Sequence, residues 1–157
     1  MKPLIILLAS FILMLIGSKL ITKQWKWVFA AQVSMSIMLF FTAMGHFIFP
    51  SGMAAMIPPV FPMKVEIVYL TGVMDILFGL GLLIPKTSKT TAWLLILFFL
   101  AILPANVYAA MENINFQTGA TNGPGLEYLW FRIPLQVFFI GWAYGCTGRF
   151  PGKSIRS

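Results

Sequence analysis

The sequence predicts an all-α integral membrane protein with five spans, and three observations carry that prediction. Five stretches of about 19–23 residues are almost free of charge; at 1.5 Å per residue each crosses a hydrocarbon core of about 30 Å. Hydrophobic residues make up 59% of the chain and charged residues only 10%, whereas a soluble domain carries about 25% charged residues. Mean hydropathy is +0.89, so 157 residues hold more apolar surface than one modest core can bury. Lipid must cover the remainder. The whole chain, 1–157, reads as a single transmembrane domain.

The spans fall at 3–21, 28–50, 65–85, 91–110 and 126–146. Between the first two, Lys23-Gln24-Trp25-Lys26-Trp27 joins charges to aromatic rings, as a headgroup anchor does. Pro85-Lys86-Thr87-Ser88-Lys89 is a tight polar turn, and Asn122-Gly123-Pro124-Gly125 cannot continue a helix. The segment 51–63 is apolar, uncharged and too short to span, and it contains Pro58, Pro59 and Pro62. It reads as an interfacial or partly re-entrant loop over the mouth of the bundle.

Net charge is +7, from 11 basic and four acidic residues. In a soluble protein that balance would suggest nucleic acid; here the basic residues sit between apolar runs, where they set topology and meet anionic headgroups. Nucleic acid is therefore set aside as a partner. Lys19, Lys23, Lys26, Lys86, Lys89, Arg149, Lys153 and Arg156 collect on one side, and Lys2, Lys64 and Arg132 on the other. The richer side is expected to be cytoplasmic, with the N-terminus outside and the C-terminus inside. Reading the first span as a cleaved signal peptide would export Lys19, Lys23 and Lys26 against this rule, so a retained span fits better. The single Cys146 excludes an internal disulfide or a CxxC pair.

Ionisable groups within apolar spans are expensive, and that makes them the clues to function. Gln32, Ser36, Thr42 and His46 fall within an arc of about 120° on the second span, a polar stripe suited to face the bundle. Asp75 lies mid-span, roughly 13–15 Å from either helix end, on one face with Thr71, Gly72 and Gly79. Small residues there permit close helix contact, so Asp75 is expected to point inward. It suits a proton carrier, a general base, a binder of a polar ligand or a bond between helices. Glu66 lies about 180° away around the same helix and suits the positive end of its dipole.

In the fourth span Pro104 frees a backbone carbonyl, and Asn106 is placed to satisfy it or a ligand. In the fifth, Arg132 and Gln136 are four apart and share a face. His46, Asn106 and Arg132 lie near the outer ends of three spans. Their convergence points to a ligand pocket at the outer mouth, with Asp75 beneath it and Gln136 beside it. One His and one Cys do not assemble an ordinary zinc site. Met44, Met53, Met56 and Met63 offer soft sulfur for Cu(I), but ten Met in so apolar a chain is unremarkable. No metal site is assigned.

Gly45-His46-Phe47, the proline-rich stretch, Tyr69-Leu70-Thr71-Gly72 with Asp75, and Gly79-Leu80-Gly81-Leu82-Leu83-Ile84-Pro85 occur in one order. Pro104-Ala105-Asn106-Val107-Tyr108 and Arg132-Ile133-Pro134-Leu135-Gln136 complete it. Together these runs, across about 40–144, resemble the DoxX-like family of small bacterial membrane proteins. The resemblance implies a four-helix membrane bundle, with the first span here an N-terminal addition, in the bacterial cytoplasmic membrane. Family members more often carry Glu where Asp75 stands. Some relatives resemble a subunit of a thiosulfate:quinone oxidoreductase, others membrane partners in oxidative-stress complexes, and distant animal relatives act as receptor-assembly chaperones.

Two classes of function follow. One is a quinone- or lipid-binding subunit of a redox system, with quinone as the possible cofactor. It needs a separate partner protein, because the chain has no Cys pair, flavin motif or metal set to move electrons. The other is a non-catalytic interaction or assembly factor whose buried polar groups specify helix packing. Both readings place the chain in a lipid bilayer and admit a homo-oligomer.

Overall fold

The computed structural model describes residues 2–123 and 125–148, and over these the chain is all-helical. The elements are α1 (Lys2–Thr22), α2 (Trp27–Ile48), α3 (Pro50–Ala55), α4 (Lys64–Leu83), α5 (Ser88–Met111) and α6 (Glu127–Cys146). Among the described residues, α1, α2, α4 and α5 are long and apolar enough to cross a membrane. α6 matches them in length, with 20 residues, but Glu127, Arg132 and Gln136 make it less apolar. Pro124 of the expected turn, and Arg149, Lys153 and Arg156 of the charge count, lie outside the described residues.

Packing follows from where the small and polar residues fall. α2 lies against α4 and α6, and α5 lies against the same two helices, so four helices close around one core. Met35, Leu39, Leu82, Leu95, Ala143 and Cys146 meet there. α2 and α4 run antiparallel, with His46 beside Thr71, Thr42 beside Asp75, and Ser36 donating to the Gly79 carbonyl at 2.8 Å. Glycine permits the close approach. A Cβ added to Gly72 would lie 2.8 Å from the His46 Cβ, and one added to Gly79 would lie 2.7 Å from the Phe40 ring. α6 is antiparallel to α2 as well: Gln32 donates to the Cys146 carbonyl at 2.9 Å, and the Trp142 indole donates to the Ala31 carbonyl at 3.2 Å.

α1 lies outside this group, along α2. Leu7 is fully buried and Phe11 meets Trp142 edge to face at 4.8 Å. Most of the remaining apolar side chains of α1 face outward, among them Ile5, Leu13 and Leu20. α4, α5 and α6 likewise turn Leu70, Leu77, Leu97 and Val137 outward. An apolar belt of this extent is compatible with a surface covered by lipid.

One end of the bundle carries most of its irregular structure. The segment 51–63, expected as a loop, begins as a short helix. Pro50 sits in the first turn of α3, where a missing N–H costs nothing, and no further proline intervenes before Pro58. Gly52 packs so tightly on the backbone of Phe116 and Gln117 that a side chain there would have to displace it. Phe49 stands edge-on to Phe116 at 6.3 Å. The connection from α5 to α6 thus folds over the same end as α3. Backbone bonds from Gly123 to the Asn113 carbonyl (2.6 Å) and from Gly119 to the Asn115 carbonyl (2.7 Å) hold its shape.

Candidate functional site

The five residues singled out from the sequence fall into two clusters that reach from this end toward the middle of the bundle. The first lies between α2 and α4. Asp75 is almost wholly buried, with 3% of its surface exposed, as its face with Gly72 and Gly79 leads one to expect. The Thr42 hydroxyl lies 2.9 Å from the Asp75 Oδ2 and an equal 2.9 Å from the Leu39 carbonyl, so its one proton serves either acceptor. The His46 Nε2 stands 3.6 Å from the same Oδ2, and its Nδ1 lies 3.2 Å from the Thr71 Oγ1. Thr71 in turn donates to the Val68 carbonyl at 2.8 Å. The result is an acid, an imidazole and two hydroxyls in one chain of contacts.

The second cluster lies between α5 and α6. The Arg132 Nη2 donates to the Asn106 Oδ1 at 2.6 Å, and the Gln136 Nε2 donates to the Phe99 carbonyl at 2.7 Å. Two antiparallel helices thus join at 106–132 and 99–136, one bond on either side of Pro104. Pro104 leaves the Leu100 carbonyl without its helical donor, and Gln136 binds the carbonyl one residue before it, in the same turn. Gln136 therefore supports that turn, and Asn106, expected to serve it, holds the guanidinium instead.

Asn106 and Arg132 face a cavity of about 240 Å³. Met56 after α3 and Ile114, Phe116 and Gln117 from the α5–α6 connection complete its walls. None of the named wall residues is acidic. Its chemistry is a largely apolar chamber with a guanidinium, the three amide side chains of Asn106, Asn115 and Gln117 and backbone groups at hand, suited to a group that accepts hydrogen bonds. Its volume falls below the range of about 300–1,000 Å³ usual for drug-sized ligands, so it fits a head group and not a whole amphiphile. His46 and Asp75 do not line it.

The pocket expected from His46, Asn106, Arg132 and Asp75 together is thus two sites, a polar cluster between α2 and α4 that runs from His46 down to mid-span Asp75, and a cavity between α5 and α6 at the capped end. The sequence reading named Met56 only as soft sulfur and missed Ile114, Phe116 and Gln117. They lie in connections whose course over the mouth is set by contacts far apart in the chain. The nearest sequence signal was Asn113-Ile114-Asn115-Phe116-Gln117, a polar run with an aromatic residue inside it. No group of three or more His, Cys, Asp or Glu suited to a metal ion occurs among the described residues.

Fold and site define a class: an all-helical protein with several membrane-length helices and two buried polar clusters under a folded cap. The chain belongs to the DUF8561 family, described as a domain of unknown function, whose model matches residues 35–147. α1 lies wholly outside that match. No curated protein and no solved structure matches the chain.

Proposed function

We propose that this protein is a DoxX-like membrane subunit that takes the polar head of a quinone- or lipid-like molecule at the extracytoplasmic mouth of a five-span bundle. α6 is the fifth span. The membrane is the bacterial cytoplasmic membrane, with the N-terminus outside, the C-terminus inside and a partner protein supplying any electrons. The observation that carries the reading is the cavity that pairs Arg132 with Asn106 against apolar walls. A quinone carbonyl or a lipid head group presents acceptors to such donors, and its apolar remainder stays with the bilayer.

The test is thermal unfolding of the detergent-purified protein against short-chain quinones, isoprenoid lipids and phospholipids. A ligand bound only by the folded state adds about 2.7 kcal/mol of stability at a hundredfold excess over Kd. The expected result is a shift with one chemical class that disappears in Arg132→Ala and Asn106→Ala. A second reading, an assembly factor with structural polar groups, draws on a different fact. Among the described residues, every buried side-chain nitrogen and oxygen has a hydrogen-bond partner. It expects no shift with any ligand, and variants that melt earlier while losing their partner protein.

A further inference from the structure

We infer that His46 and Asp75 form a proton-binding site that holds one proton between the Nε2 and the carboxylate and exchanges it at the capped end of the bundle. This site is separate from the Arg132 cavity and does not depend on what that cavity binds.

Counting hydrogens leads to it. Thr71 has one hydroxyl proton, and in the structure it goes to the Val68 carbonyl. With the proton there, the Thr71 oxygen accepts from the His46 Nδ1, and the Val68 carbonyl also serves His46; in that tautomer the Nε2 faces Asp75. With no further proton, an imidazole lone pair faces a carboxylate in a region that water barely reaches. With two, an imidazolium faces a neutral acid and the cation has no counter-charge. One proton satisfies both atoms. It sits either on the Nε2, giving an ion pair, or on the Oδ2, giving a neutral pair. The separation of 3.6 Å is longer than a hydrogen bond, and a small rotation of the ring closes it.

The surroundings suit exchange through His46. Its side chain keeps 21% of its surface exposed against 5% for Asp75, so a proton reaches the acid by way of the imidazole. Gly72 lets α4 press against the His46 Cβ, which sets the base of the side chain and leaves the ring free to turn toward Asp75. Among the described residues, the polar contacts of His46 and Asp75 run to each other and to Thr42, Thr71 and Val68. Of the other ionisable side chains on the surrounding elements, α1 carries Lys2 and Lys19, α4 carries Lys64, Glu66 and Tyr69, α5 carries Lys89 and Tyr108, and α6 carries Glu127, the Asn106-bound Arg132, Tyr144 and Cys146; α3 carries none. The Tyr69 ring stacks on Phe47 at 5.9 Å. Thr42 completes the site by switching its proton between the Leu39 carbonyl and the carboxylate as the latter's charge changes.

His46 is the only histidine of the chain, so nitrogen-isotope labelling of histidine yields the signals of one ring. The experiment follows those signals by NMR in a pH titration of the detergent-purified protein. The carboxylic-acid carbonyl band is followed in parallel by infrared difference spectroscopy. The expected result is that ring and carboxyl change together at one midpoint. In Asp75→Asn the carbonyl change is lost and the His46 midpoint moves by about one pH unit, the scale of a single strong charge neighbour. A His46 midpoint unchanged in Asp75→Asn overturns the inference. If that variant does not fold, the parent alone decides, because separate midpoints for ring and carboxyl are equally fatal. Thr71→Val keeps both titrating groups and should alter the ring's tautomer signals while leaving the common midpoint shared. Failure of the ligand panel to shift the protein's melting would leave these spectra unaffected.

Discussion

Gly72 shows how one residue decides whether the α2–α4 site exists. Its hydrogen stands where a Cβ would meet the His46 Cβ at 2.8 Å and the Phe47 ring at 3.3 Å. Both neighbours belong to a packed helix and have little room to move. Gly72→Val should therefore lower stability by about 1–3 kcal/mol, the usual cost of overpacking. Gly17 on α1 meets nothing within 4 Å of an added Cβ, so Gly17→Val should change stability by less than about 0.5 kcal/mol. Chemical unfolding of both variants in one detergent checks the pair. Equal losses would mean that α2 and α4 do not touch at Gly72. At this scale much was legible beforehand. The face shared by Thr71, Gly72, Asp75 and Gly79 turns inward as helical spacing requires, because in lipid the small and polar residues have nowhere better to go.

Pairings between helices were less legible, and α5 with α6 shows why. The sequence places Arg132 and Gln136 one turn apart on α6, which tells which face they share and not what they meet. Their partners, Asn106 and the Phe99 carbonyl, are two turns apart on α5. The rise is roughly 10.5 Å on one helix and 6 Å on the other. A long guanidinium covers the difference, and no periodicity encodes that reach. The Phe99 partner is moreover a backbone atom, which has no sequence signature at all. The consequence is testable at the level of the element. Gln136→Leu should cost about 0.6 kcal/mol and no more than about 1.7, the mean and the maximum for hydrogen bonds between membrane helices. Pro104→Ala restores a donor for the Leu100 carbonyl in the turn that Gln136 binds through Phe99, so the double variant should lose less than the single changes added together. A coupling above about 0.5 kcal/mol in that cycle marks Gln136 as the support of the proline turn, and strict additivity marks the two as independent.

For the molecule as a whole, the alternation of helices ties the position of each connection to the sidedness of the protein. The turns between α1 and α2 and between α4 and α5 lie at one end, since α2 and α4 are antiparallel. Lys23 and Lys26 sit in the first turn, and Lys86 sits in the second beside Lys89 at the start of α5. α3 and the α5–α6 connection cap the opposite end, together with Lys2 and Lys64. Positive residues mark cytoplasmic connections, so the cap, the Arg132 cavity and the mouth of the His46 site should face outward. Cys146 is the sole cysteine and is buried. A Cys146→Ala background therefore accepts single reporters at exposed Asn122 in the α5–α6 connection and exposed Lys86 in the α4–α5 turn. In intact cells a membrane-impermeant maleimide should label Asn122→Cys at once and Lys86→Cys only after permeabilisation. The reverse pattern would turn the protein over and put both polar sites on the cytoplasmic side. Labelling of both positions from one side would mean that α5 does not cross the membrane, and the five-span count would fall with it.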